Sequence, residues 1–276
     1  MRAMNIRVVT GSSGLVQLKA SFNKNKKLYL MEALGLAIFM MSACFFGGLL
    51  EAKNSALHIA IPNAFVRTGL MGVLMGSTAL FIFYSPFTAP SGSHINPAVT
   101  ITFWRLGKMC HWDAVFFIIF QFLGGTIAVY IMAALMGETL TSRPVNYVCT
   151  VPGKAGVAAA VLAEFIIAVV MITMVLFTSA HNNLKRYTRV FAGCLVCAYV
   201  IIAGPVSGFG MNPARTFASA LPANTWTSFY IYLVVPPAGM LTAAEVFLFI
   251  QKKNILTANS QALNNASSTN NKNVLL

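Results

Sequence analysis

Long apolar runs separated by short polar breaks fill the chain between about residues 29 and 250. A membrane crossing takes about 20 mainly apolar residues. Six segments supply that length, at about 29–50, 65–86, 113–136, 157–180, 188–206 and 227–250. Two further apolar pieces, near 96–105 and 212–221, are too short to cross. At membrane depth such backbone is tolerated only where protein or a water-filled path satisfies its polar groups. The pattern therefore predicts an all-α membrane protein with six transmembrane helices and two re-entrant half-helices.

Both short pieces open on the same tripeptide. The first is Asn96-Pro97-Ala98, within Ser91-Gly92-Ser93-His94-Ile95-Asn96-Pro97-Ala98-Val99-Thr100. The second is Asn212-Pro213-Ala214, within Ser207-Gly208-Phe209-Gly210-Met211-Asn212-Pro213-Ala214-Arg215. Asn is a good N-cap and Pro suits the first helical position, so each tripeptide reads as a helix start. Two helix starts at one depth bring two positive dipole ends and two Asn amides together. The chain also repeats itself, Glu32 preceding the first tripeptide as Glu164 precedes the second. Three crossings per half is an odd number, so the halves, about 29–137 and 156–253, must have opposite topology.

Composition agrees with the pattern. Hydrophobic residues make up 57% of the chain and charged residues only 9%, against roughly 25% charged in a soluble domain. The net charge of +13 sits at segment ends, which is an orientation signal and no nucleic-acid surface. With the N-terminus inside, 14 Lys and Arg fall on the inner side and 4 on the outer. Both termini are thus expected in the cytoplasm, with 1–28 as a basic tail and 254–276 as a disordered, Asn- and Ser-rich one. The five cysteines read as small apolar residues with free thiols. No spacing suits a metal or cofactor, and no nucleophile–base set or acid pair suggests an enzyme. His94, His111 and His181 are candidate inner-side pH sensors, or simple polar contacts.

Together these residues resemble the aquaporin and aquaglyceroporin (major intrinsic protein) family over roughly 29–250. Ala163-Glu164-Phe165 and Gln121-Phe122-Leu123-Gly124 add to the match. The resemblance implies a right-handed bundle of tilted helices with the half-helices meeting at its centre, and a homotetramer with one pore per subunit. It implies water, with or without small neutral solutes, as cargo. Asn96 and Asn212 would present side-chain N–H groups to the pore. Carbonyls along Gly92, Ser93, His94 and Ile95, and along Gly208, Gly210 and Met211, would form an acceptor ladder. Glu32 and Glu164 would buttress the two loops by accepting their N–H groups.

The family's outer filter has four positions, and here they fall on Arg215, Phe209, Val200 and either Met75 or Gly76. Arg215 supplies a fixed charge and several donors. Val200 stands where water-selective members usually carry His, and Phe209 resembles the glycerol-conducting branch. Thr216, where glycerol facilitators usually have Asp, and the short connection Leu221–Thr225 resemble the water branch. The expectation is a water channel that also admits small uncharged solutes, with a mainly glycerol-conducting channel as the alternative. A secondary transporter or a structural membrane protein would share the repeats.

Overall fold

A computed structural model describes residues 14–273, and these contain no β-strand. The helices are α1 (Gly14–Glu51), α2 (Ala56–Ala60), α3 (Ala64–Tyr84), α4 (Pro97–Arg105), α5 (His111–Met136), α6 (Glu138–Thr141), α7 (Gly156–Ala180), α8 (Thr188–Ile202), α9 (Gly204–Ser207), α10 (Pro213–Ala223) and α11 (Phe229–Asn273). Five of them, α1, α3, α5, α7 and α11, are long and apolar enough to cross a membrane. The fifth expected crossing, 188–206, is divided: α8 stops after 15 residues and α9 completes the segment. The break falls at Gly204-Pro205. Pro lacks the N–H that would continue the ladder and disfavours helical backbone before it.

Pairing follows the repeat. α1 packs on α5, α7 on α11, and α3 on α8 across the two halves. The crossings are closed by glycines. A Cβ at Gly124 would meet the Ala33 carbonyl oxygen of α1 at 2.2 Å, and one at Gly239 would meet the Phe165 oxygen of α7 at 2.9 Å. These contacts put Gly124 beside Glu32 and Gly239 beside Glu164 in chain terms, so the same crossing is built twice. α4 and α10 each touch both α5 and α11 and lie between the halves.

Two expectations at the ends differ from the structure. Helix α1 begins at Gly14, inside the segment 1–28 read as a tail, and residues 1–13 lie outside the described residues. No Gly or Pro interrupts 15–34, and one helical stripe has a partner. Ser21 Oγ, Asn25 Nδ2 and Tyr29 Oη all donate to Asp113 Oδ1, at 2.5, 2.9 and 2.6 Å. Helix α11 runs on to Asn273 through 254–273, which composition reads as disordered. No Gly or Pro occurs after residue 250 to stop it.

Candidate functional site

Each half-helix starts as its sequence requires. Asn96 caps α4, its Oδ1 accepting from Ala98 N at 2.9 Å. Asn212 caps α10, its Oδ1 accepting from Ala214 N at 3.1 Å and Arg215 N at 3.2 Å. Pro97 and Pro213 follow as the first helical residues, with Ala98 and Ala214 fully buried behind them. The amide nitrogens then cross between the halves. Asn96 Nδ2 donates to the Met211 carbonyl at 2.8 Å, and Asn212 Nδ2 donates to the Ile95 carbonyl at 2.7 Å. This exchange uses one of the two donors on each amide and leaves one N–H, which the sequence reading assigns to a pore. The same bonds occupy one lone pair on Ile95 and Met211, two of the expected ladder carbonyls.

The residues before each Asn are wound against their preference. Gly92, Ser93 and Ile95 have φ of 95, 50 and 43°, and Gly208, Phe209 and Met211 have 77, 49 and 43°. Left-handed backbone is costly for residues with a Cβ and persists only where surroundings dictate it. Two buried carboxylates do so. Glu32 accepts from Ser91 Oγ at 2.6 Å, His94 N at 3.0 Å, Ile95 N at 2.6 Å and Gln121 Nε2 at 2.8 Å. Glu164 accepts from Ser207 Oγ at 2.6 Å, Gly210 N at 2.8 Å and Met211 N at 2.5 Å. Both are 0% exposed, and each carboxylate is satisfied by donors, as a buried one must be. Gly210 lies outside the left-handed set. Its lack of a side chain serves a close approach, since a Cβ there would meet Tyr232 Cδ1 at 2.3 Å.

Arg215, in the first turn of α10, donates from Nη1 to the Val148 carbonyl at 3.0 Å and to Thr150 Oγ1. Sequence reasoning had no signal for these partners. They lie in the irregular stretch before α7, where Asn146, Tyr147 and Val148 all have positive φ. A β-branched residue such as Val148 is rarely found there, and the strain turns its carbonyl to the guanidinium. Gln121 and Tyr232 were also missed as loop supports, Gln121 being legible only as part of a motif.

The remaining filter candidates divide. Met75 is 2% exposed and belongs to one apolar cluster with Tyr199 and Met211, against which Val200 and Phe209 also pack. Phe209 meets the Tyr199 ring at 5.8 Å. Gly76 faces elsewhere: a Cβ there would meet Cys197 Cβ and the Gly193 oxygen of α8, both at 2.9 Å. It is a helix-crossing glycine. Of the histidines, His94 lies in the first loop, stacked on Phe103 at 4.8 Å. His111 and His181 lie at the N-terminus of α5 and just past the C-terminus of α7.

Residues 19–247 match the major intrinsic protein family. The chain belongs to that family. It is accordingly a multi-pass integral membrane protein of a channel family and not an enzyme. It is 29% identical over 222 residues to a probable aquaporin of NIP type from Nicotiana alata, covering 80% of this chain and 76% of that one. It is 26% identical over 227 residues to aquaporin NIP1-2 of Oryza sativa subsp. japonica, covering 82% and 71%. Among solved structures it superposes on the aquaglyceroporin from Plasmodium falciparum with a TM-score of 0.67 at 18% identity, over 80% of this chain and 94% of that one. That likeness speaks for the fold.

Proposed function

We propose that this major intrinsic protein is a passive channel that conducts water in single file and also admits small uncharged solutes such as glycerol. The observation that carries the reading is the reciprocal Asn96–Asn212 exchange, at 2.8 and 2.7 Å, between the starts of two half-helices from opposite halves. Both helix N-termini point their positive ends at that meeting place, which opposes protons and cations. The second N–H of each Asn amide is then the donor that turns a passing water's oxygen inward. Arg215 forms the charged side of the outer filter, held by Val148 and Thr150. Val200, Phe209 and Met75 form its apolar side. Gly76 is spent on the α3–α8 crossing, which favours Met75 as the fourth position. The channel body is 29–253, both termini face the cytoplasm on the Lys and Arg bias, and the assembly is a homotetramer by the family resemblance.

A mainly glycerol-conducting channel is the second reading, favoured by the apolar Val200 and Phe209. Stopped-flow light scattering on proteoliposomes separates the two. Fast, low-activation shrinkage in an impermeant osmolyte, with glycerol re-swelling slower but above that of empty liposomes, supports the first reading. Fast re-swelling supports the second reading. Neither flux above empty liposomes would remove both.

A further inference from the structure

The two loops before Asn96 and Asn212 solve one packing problem in opposite ways. In the first loop the residue two before the Asn is His94. Its ring stacks on Phe103 at 4.8 Å, meets Phe117 edge-on at 5.4 Å, and places Nδ1 3.2 Å from Thr100 Oγ1. In the second loop that residue is Gly210, which has no side chain to do any of this. The space over it is filled from α11 by Tyr232, whose Cδ1 would lie 2.3 Å from a Cβ at Gly210. Tyr232 stands seven residues before the crossing glycine Gly239, as Phe117 stands seven before Gly124. Tyr232 is 0% exposed, and its Oη donates to the Ser207 carbonyl at 2.6 Å.

The exchange leaves a trace. Thr216 and Ser219 occupy in α10 the places of Thr100 and Phe103 in α4. Both are at most 1% exposed, and neither hydroxyl has a hydrogen-bond partner. They are the positions that lose the imidazole. The second loop therefore lacks the anchor within its own sequence that the first one has, and is held at its first carbonyl by a helix of the bundle.

We propose that Tyr232 is a positioning residue for Phe209, Asn212 and Arg215, acting through the Ser207 carbonyl and doing for the second loop what His94 does for the first. Its bearing on permeation rests on the channel reading above. Tyr232 bonds the loop where its left-handed run begins, so removing the hydroxyl loosens Ser207 to Phe209 ahead of the Glu164 bonds and lets the filter residues shift. The aromatic ring still fills the space.

Two variants test this in full-length protein: Y232F and G210H. Hydrogen exchange by mass spectrometry should show Y232F raising exchange over 207–212 by about tenfold, the scale of losing one buried hydrogen bond. Exchange over 91–96 should not change. In proteoliposomes, normalised to folded protein, Y232F should raise the glycerol-to-water permeability ratio several-fold. G210H should be poorly folded because its side chain meets the Tyr232 ring. Unchanged exchange and an unchanged ratio in Y232F would overturn the proposal, as would a well-folded G210H. If wild-type protein conducts nothing, the channel reading fails while the exchange comparison still judges Tyr232.

Discussion

Asn96 and Asn212 each hold the loop of the other: Asn96 donates to the carbonyl just before Asn212, and Asn212 donates to the carbonyl just before Asn96. Each also caps its own half-helix with its side-chain oxygen. Asn→Ala at either position removes a cap and leaves a buried carbonyl of the opposite loop unpaired. The expected loss is about 2–4 kcal/mol for each single variant. Because the two loops are joined through both bonds, the double variant should cost less than the sum, with a coupling of about 1 kcal/mol. Thermal unfolding of the four proteins in detergent measures this; strict additivity would mean that the halves are held independently.

The two buttress carboxylates are not equivalent. Each Glu32 oxygen accepts from two groups, whereas Glu164 Oε2 accepts from Met211 N alone. An amide in place of the carboxylate turns its NH₂ toward the donors on one oxygen. That oxygen carries two donors in Glu32 and can be the one carrying a single donor in Glu164. We expect E32Q to be more destabilising than E164Q by about 1–3 kcal/mol, one further unsatisfied buried donor. The ranking of midpoints in a melting experiment checks it, and the reverse order would contradict the bonding described.

Helix crossings give a sharper contrast. A methyl at Gly124 would run into α1 backbone at 2.2 Å, and backbone cannot yield as a side-chain end can. G124A should lose about 3 kcal/mol or more, or fail to accumulate. G69A, with nothing within 4 Å of its added Cβ, should express and melt like wild type. Expression and monodispersity by fluorescence size exclusion separate the two.

The same reasoning divides the second-span filter candidates. G76A should reduce folded yield through its α3–α8 contact. M75A should fold and raise glycerol permeation relative to water several-fold. Proteoliposome fluxes normalised to folded protein check both, and a fully folded G76A with altered selectivity would reverse the assignment.

Cys149 lies in the connection before α7 and donates from Sγ to the Ser219 carbonyl at 3.3 Å. Burial pushes its thiol from 9.0 up to about 11, although the nearby Arg215 charge pulls the other way. The folded state therefore keeps the proton that the unfolded chain would release. Between pH 9 and about 11 stability should fall as pH rises, and below 9 this group contributes no pH dependence. Reactivity follows thiolate content, so at pH 8 maleimide labelling of Cys149 should be roughly a hundredfold slower than for an unshifted thiol. R215Q should slow it further. Mass spectrometry of the labelled peptide against pH reads both effects; fast labelling at pH 8 would contradict the burial.

Much of this molecule is legible from its residues alone. Apolar length marks the crossings, Asn-Pro marks both half-helix starts, and the matched order of Glu32 and Glu164 marks the inverted repeat. These are local or periodic properties that any fold of the chain must respect. The division of the fifth crossing at Gly204-Pro205 was visible too, but weak against an otherwise apolar run. At the ends, α1 begins inside 1–28 and α11 continues through 254–273, where no apolar pattern announces a helix.

What the tertiary structure alone decided is which of these groups meet. The exchange between Asn96 and Asn212, the grip of Val148 and Thr150 on Arg215, the place of Gly76 in a helix crossing and the support of Ser207 by Tyr232 join residues far apart in the chain. The sequence determined by itself that there would be two capped half-helices, two buried acids and one charged residue among apolar ones. It could not say how these pair, because hydrogen bonds and close approaches depend on ångström-scale distances that are set only when the helices have packed.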